Sequence, residues 1–541
     1  MPTPLRMITG SRNFNFKSWL CLGLILTLSI VSISAQVQKD RKKLKFSADV
    51  IEGSKPIGGK ETRRLLGNVV FTQDSVIMYC DSAHLYSDNS LDAFSRVHIK
   101  QGDSLNLYGD LLKYDGNKRF ARLEKNIRLI DKGMLLTTEH MTYDVSKKTA
   151  TYIEGGIIHS EDNVLTSETG YYYASGRKLA FKRKVVLTNP KYTVNSDTLH
   201  YSTSSKIAWF FGPTWIRSKT NSIYCENGFY DTFHDFAQFK QHAFINSAKQ
   251  TLKGDSIFYD RKTGFGKALG NVTITDTSQH VVVTGDYSTH SELTNVSYVT
   301  GHALLMQISK TDTLFLHADS LKATAVTDSA ALAKLKENRL TRGEKQELSR
   351  DSFPMIRTMY AYHKVKFYQS QLQGRCDSLK YAYNDSTMYL YLQPILWSKE
   401  NQMTGERIEI KSGNGVLQIL KMYSSSFIIS KEDSARFNQV KGKNLTGYFK
   451  DNKLRKVYVE GNGQTIYYAK EKNKRTGVNK ADCSDLLIYL KDNQVESITL
   501  LNKPDGTMYP PQELDPRELR LKDFKDLSKY RPNGVNDLFI W

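Results

Sequence analysis

An acidic residue recurs every 29 positions through the first half of this chain, and that spacing constrains the fold more than any other feature. The segments CDSAHLY, GDLLKYD, TEHMTYD, SETGYYY, SDTLHYS, CENGFYD and GDSIFYD carry it at Asp81, Asp110, Glu139, Glu168, Asp197, Glu226 and Asp255. The register drifts to Asp286 and Asp319 and resumes at Asp377 and Glu406. In all eleven segments the preceding residue is small: Cys, Gly, Thr, Ser or Ala. A tyrosine follows four residues after the acid at Tyr114, Tyr143, Tyr172, Tyr201, Tyr230, Tyr259 and Tyr381. The position between is apolar at Leu112, Met141, Leu199, Ile257, Leu379 and Ile408. Residues two apart on a strand share a face. Each repeat therefore places an acid at a strand entrance, with an apolar residue and a tyrosine beyond it on one side. The small residue suits a tight corner between closely stacked rungs.

A second strand signal alternates with the first: GNVVFTQ from Gly67, SRVHIKQ from Ser95, GGIIHSE from Gly155, RKVVLTN from Arg183, KQHAFIN from Lys240, GNVTITD from Gly270 and HKVKFYQ from His363. These are β-branched or aromatic runs preceded by Gly or polar residues. Helical periodicity is absent. Twenty-nine residues hold two or three short strands, and such a unit buries its apolar face only by stacking on its neighbours. The fold class expected is all-β, an elongated, solenoid-like stack. With strands about 4.8 Å apart, one strand per wall per repeat gives a rod on the order of 50 Å or more.

The pattern sets the expected boundaries. Arg6, Arg12 and Lys17 precede the apolar run Trp19 to Ile30 and the small-residue exit VSISAQ, so residues 1–35 read as a signal peptide cleaved after Ala35. Residues 36–55 read as a disordered lead and 56–325 as the β-repeat array. Residues 326–352 are charged and rich in helix formers, a helical or mobile insertion. Residues 353–503 continue the repeats and end in capping strands. The tail 504–541, with five prolines, reads as extended.

The formal net charge is +20, and losing three basic residues with the signal peptide leaves +17. That balance points to an anionic partner, and export turns the expectation from nucleic acid to envelope lipid or polysaccharide. Cys80, Cys225 and Cys376 hold the same repeat position several rungs apart, beyond the reach of a disulfide, and read as small corner residues. No C-x-x-C or clustered His spacing suggests a metal, and no cofactor fingerprint is present. A polysaccharide-cleaving enzyme needs one special carboxylate pair. These acids recur uniformly, as structural positions do, so no catalytic residue is assigned and the chain reads as a non-enzyme.

The G-N-V pattern (Gly67-Asn68-Val69, Gly270-Asn271-Val272), alternating with acid-x-apolar-x-Tyr, resembles the OstA/LptA family of periplasmic lipopolysaccharide-transport proteins and the N-terminal domain of LptD. AYHKVKFYQSQLQGRCDSLKY, ILWSKENQMTGERIEI and GNGQTIYY are similar to long OstA-like proteins; the resemblance spans about residues 45–510. It implies a V-shaped β-jelly roll of two antiparallel sheets with acyl chains in an apolar groove. It also implies a periplasmic carrier or bridge passing lipopolysaccharide from the inner to the outer membrane during outer-membrane assembly. Partners would join by β-augmentation to inner- and outer-membrane transport proteins, or by self-stacking. If the +2 and +4 positions face inward, the candidate lipid-binding residues are Leu112, Tyr114, Met141, Tyr143, Leu199, Tyr201, Ile257 and Tyr259. The alternative is a structural or adhesive β-repeat protein of the envelope, in which those residues only pack.

Overall fold

A computed structural model describes residues 44–541 except 58–59, 74, 311, 342–353, 414–415, 452, 472–473, 492–493, 511–514, 516 and 518. The signal peptide expected over 1–35 lies outside the described residues. Among these residues the chain is an antiparallel meander of 36 strands with one α-helix and two short 3-10 turns. Each 29-residue repeat is two long strands, as in Leu105–Asp115 and Phe120–Asp131 before Met134–Asp144. The acid is not at a strand entrance, as the sequence suggested. Asp110 is the sixth of the eleven residues of Leu105–Asp115.

What happens at the acid is a bend. The ladder register slips between Tyr108 and Leu111, between Glu124 and Ile127, and at the matching point of the neighbouring rungs. Opposite nine of the eleven acids, the adjoining strand carries two consecutive left-handed residues; opposite Glu139 and Asp197 it carries a single left-handed glycine, Gly155 and Gly212 respectively. Examples of the pairs are Lys125 and Asn126 (φ 69° and 51°), Arg183 and Lys184 (61° and 50°), and Gln241 and His242 (58° and 55°). Such residues at a bulge turn the strand sharply. The G-N-V motif is one of these corners. Gly270 has φ 69°, and a Cβ there would come 2.2 Å from Asp255 Oδ2. Asn271 follows at φ 47°, and Val272 is the first buried residue beyond the bend, 1% exposed.

Because the bends align, the sheet folds into two facing walls. Through the ladder Gln73 pairs with Val76, Val76 with Gln101, and Gln101 with Leu105. Tyr114 lies nine residues beyond Leu105, about 30 Å away on a flat sheet. Its hydroxyl nevertheless donates to Gln73 Oε1 at 3.1 Å. The half-strands after each acid form what we term the front wall and those before it the back wall. Leu112, Leu123 and Met141 on the front wall and Phe71, Leu107, Leu129 and Leu136 on the back wall belong to one buried cluster that reaches Val272. A second cluster continues from Val281 to Ile488. Each fully buried Leu or Ile contributes roughly 1.5–3 kcal/mol. Small residues line the vertex, with Cys80, Cys225 and Cys376 buried as free thiols.

The stack is longer than the sequence estimate, because each repeat adds two rungs to both walls. Eight rungs are split in two at the bend, so 36 strands make 28 rungs, on the order of 130 Å. Strands also begin earlier than expected. Lys45–Ser47 and Val50–Ile57, placed in the disordered lead from sequence, both pair with Lys60–Gln73. Their pairing satisfies the edge of that strand, and Phe46 packs 6.3 Å from Phe71 between ring centroids. Ser329–Thr341 is the α-helix, its start capped by Asp328 Oδ1, which accepts the Ala331 N–H at 3.0 Å.

The C-terminal residues run as a strap across the outer face of the back wall. Buried glutamines hold it by imitating a strand partner. Gln439 donates to Leu519 O and accepts from Leu521 N, both at 2.9 Å. Gln402 does the same with Lys525 O (2.8 Å) and Leu527 N (2.7 Å). Farther along, Arg531 grips Gln373 Oε1, and Lys366 donates to the carbonyls of Asp537 and Ile540. Leu519 and Leu521 cover Phe427, Phe437, Ile466 and Tyr468. Truncation after residue 518 is expected to leave the meander folded and to expose this apolar surface. An increase in binding of a hydrophobic dye, with a lower melting temperature, checks this; unchanged dye binding would refute it.

Candidate functional site: the apolar interior

The eight residues singled out from sequence all stand on the inner side of the front wall. Leu112, Met141, Leu199 and Ile257 are 1–2% exposed, and Tyr143 is 7% exposed. Tyr114 and Tyr201 are half-buried against the same cluster, and Tyr259 is half-buried. Inward orientation follows from the bend: the small residue before the acid fills the vertex, the acid faces out, and alternation beyond the bulge returns the +2 and +4 positions to the interior. Depth separates the two positions. The +2 residue sits near the vertex, and the tyrosine stands at the rim.

Rim tyrosines divide the interior into two regimes. In the first, they clasp the walls together. Tyr114 donates to Gln73, Tyr143 to Gln101 at 2.9 Å, and Tyr172 to Asp131 at 2.5 Å, each reaching from the front rim to the back rim. Behind the clasps the back-wall residues are sealed: Phe71, Leu107, Leu129 and Leu136 are 0–2% exposed, with Ile99 half-buried. In the second regime the cross-wall bonds stop. Tyr230 donates to Asp235 and Tyr259 to Glu292 (2.8 Å), both at the rim of the tyrosines' own wall.

Where the clasps stop, the walls leave an open trough. Leu187, Ile216, Ile223, Ile245, Leu252 and Ile274, back-wall counterparts of Phe71 and Leu129, are only partly buried, while Val194 in the same row is buried and Tyr192 stands one step nearer the rim, also partly buried. The floor remains closed by Ser196, Thr214, Cys225, Ala243 and Val272 and by Leu199, Phe239 and Ile257 opposite. The trough crosses seven strands from Lys178–Asn189 to Phe265–Asp276, on the order of 30 Å. Its walls are aliphatic with tyrosines at the lip, an arrangement that can take up apolar chains without proton chemistry. The sequence reading missed the clasp acceptors. Gln73 and Gln101 are the last letters of GNVVFTQ and SRVHIKQ, a polar ending that could have marked the back rim.

The repeating acids hold corners. Asp110 accepts from Asn126 Nδ2 at 2.6 Å and Asp255 from Asn271 Nδ2 at 2.9 Å. Arg96 donates to Asp81, Lys184 pairs with Glu168 at 2.7 Å, and His302 lies 2.7 Å from Asp286. A hollow of about 1260 Å³ lies on the outer side of these corners, lined by Arg96, Asp110, Asn126, Glu139, Glu168 and Lys184 among others. Most of its charged groups are corner residues; Arg128, which stacks on Tyr108, and Glu154 complete its charged lining. Among the described residues no three His, Cys, Asp or Glu side chains gather to hold a metal.

The rim phenols titrate late. Burial pushes Tyr143 up, and burial with the Asp131 carboxylate raises Tyr172. Burial and the neighbouring carboxylates push Tyr230 and Tyr259 up to about 12. The folded state thus holds these protons more tightly than the unfolded chain. Their contribution is intact below a pH of about 10, the free phenol value, and is lost as pH rises through the folded values. Urea midpoints are expected to fall above pH 10, and Tyr143→Phe with Tyr172→Phe to lower stability by about 1 kcal/mol each and to flatten that fall. A profile unchanged in the double variant would contradict the clasps.

Comparison with known proteins gives one family match. Residues 44–197 match the family described as OstA-like protein. Among solved structures, the chain is similar to LptH of Pseudomonas aeruginosa, described as the LptA-homologous periplasmic component of a lipopolysaccharide transport device. The identity is 14% over 18% of this chain and 75% of that one, with a TM-score of 0.17. No curated protein matches the chain. The two-walled arrangement stands on the chain's own ladder registers and cross-wall bonds.

Proposed function

Because residues 44–197 are OstA-like, we propose that this chain is a non-enzymatic lipopolysaccharide carrier or bridge of the periplasm. It takes acyl chains into the interior between the walls and moves lipopolysaccharide from the inner toward the outer membrane. The observation that carries this reading is the trough. Six aliphatic side chains, Leu187, Ile216, Ile223, Ile245, Leu252 and Ile274, stand only partly buried along one row, in a chain whose preceding rungs bury Phe71, Leu107, Leu129 and Leu136 at the same position. Contiguous apolar surface of that kind marks a binding site.

Acyl contacts are assigned to Tyr192, Ile216, Ile223, Ile245, Leu252 and Ile274 on the back wall and to Tyr201 and Tyr259 opposite. Leu199 and Ile257 form the floor beneath them. Leu112, Tyr114, Met141 and Tyr143 lie behind clasps and meet lipid only if those open. The end strands offer pairing edges at both termini of the stack: Lys45–Ser47 and Val50–Ile57 at one, Gln494–Leu501 and Asp505–Tyr509 at the other. Through them, inner- and outer-membrane partners or further copies add by β-augmentation.

A second reading, a structural or adhesive β-repeat protein, draws on the clasped rungs, whose dry core has no room for a ligand. Lipid extraction with mass spectrometry on the periplasmic protein separates the two. Lipid A is expected in near-stoichiometric amount. Ile223→Asp with Ile245→Asp is expected to reduce it by about tenfold or more, with far-ultraviolet circular dichroism unchanged, because both side chains are already partly open to water. Lipid-free protein that also fails to bind added lipopolysaccharide would favour the scaffold.

A further inference from the structure

The outer face of the front wall carries a cleft that the interior does not use. It spans Thr169–Tyr173, Lys178–Asn189, Tyr192–Ser202 and Ile207–Ser218. Tyr171 and Tyr173 stand along one side, their rings stacked at 6.3 Å and 11°. Trp209 and Phe211 stand along the other, and Ala180 forms part of the floor between them. The hollow is about 580 Å³, the size of an ordinary ligand site. Its polar lining is Lys178, Lys182, His200 and tyrosine hydroxyls, with no carboxylate among the lining residues. Lys182 Nζ lies 5.9 Å from the Tyr171 ring centre, and the His200 ring 5.0 Å from Phe211. Burial and the fields of Lys182 and Lys178 lower the pKa of His200, a sign of how positive the floor is.

The same mixture continues along this face. Phe236 and Phe258 pack edge to face at 4.2 Å, with Lys267 Nζ 4.4 Å from the Phe258 ring. Lys322 lies between Tyr298 and Tyr360, and Lys380 beside Tyr389. Tyr173, Phe211 and Tyr298 are 39–40% exposed. Rings lying open with ammonium groups between them suit a ligand with flat C–H faces and negative substituents. Acyl chains have no use for the lysines, and a peptide strand adds at sheet edges rather than on a face.

We propose that this cleft binds an anionic polysaccharide, its sugar rings stacked on Trp209 and Tyr171 and its carboxylates or phosphates held by Lys178 and Lys182, the chain running on across the rungs. The site lies on the opposite side of the sheet from the trough and does not depend on the carrier reading.

Calorimetry on the purified full-length mature protein tests this, with oligogalacturonate as the acyl-free anionic probe, maltoheptaose as its neutral counterpart, and phosphatidylglycerol vesicles. Oligogalacturonate is expected to bind and maltoheptaose to bind far more weakly. Trp209→Ala is expected to weaken oligogalacturonate by roughly tenfold. Lys178→Gln with Lys182→Gln is expected to weaken it and flatten its salt dependence. Circular dichroism verifies the fold of each variant, and Tyr171→Phe, which keeps the ring, is expected to bind as the parent does. Absence of oligogalacturonate binding, equal binding by the variants, or binding to vesicles alone would each overturn the proposal. Since oligogalacturonate carries no acyl chain, neither its binding nor its absence bears on lipid in the trough.

Discussion

Everything in this molecule hangs on the corner. Two successive left-handed residues without glycine cost on the order of 1–3 kcal/mol each, and the chain repeats them on rung after rung. At most of these corners an acid on the adjoining strand meets the left-handed pair from outside, as at Arg96, Asn126, Lys184, His242 and His302. Asn126 shows the arrangement: its side chain donates to Asp110, and its backbone N–H points to Glu139 at 3.4 Å. The exposed ion pairs among these contacts are individually weak. Their alignment is what matters, since bends at one height in every strand convert a flat meander into two walls. The residue before each acid then sets how closely the walls approach. Gly109, Thr138 and Ser167 are buried at the vertex, where a larger side chain would wedge the V apart.

Once the walls face each other, the same inward positions serve as core or as lining, and the rim decides which. Leu129 and Ile274 occupy equivalent places beyond a bend, yet one is sealed and the other only partly buried. The difference lies in whether a tyrosine crosses the opening. Tyr172 reaches Asp131, whereas Tyr259 turns to Glu292 on its own wall. Leaving a row of aliphatic residues only partly buried forgoes part of the roughly 1.5–3 kcal/mol that each would contribute when fully buried. A stack of this length can sustain that loss locally because each rung is stabilised by its neighbours.

The repeat was legible because it is written in side chains: the acids, the small residues before them, and the tyrosines after. Period-2 alternation put Leu112, Met141, Leu199 and Ile257 on one face with the tyrosines two residues on, and left open whether that face was inward; the bulge beside the acid is what turns it to the interior. The bend was misread because the dyads Gly67-Asn68, Ser95-Arg96 and Gly270-Asn271 look like turns between strands. Left-handed pairs within a continuous strand use the same residues that turns do. Register with the neighbouring acid, a contact across 15 or 16 residues, is what distinguishes them. The strap was illegible for a different reason. Its glutamine partners Gln439, Gln402 and Gln373 sit 80 to 158 residues away, and nothing local in a proline-rich tail points to them.

The two outer faces show how each surface was resolved. On the back wall, Phe427, Ile429 and Trp397 form an apolar face that water would penalise, and the strap buries them at 2–7% exposure. On the front wall, Tyr171, Trp209 and Phe258 remain uncovered, and each stands beside a lysine or histidine rather than beside another aliphatic residue. A face meant only for solvent would not need large rings, and a face meant for the strap would not need ammonium groups. Cations beside open rings keep such a surface wetted while leaving its flat faces available, so the front wall is soluble without a cover and the back wall is not.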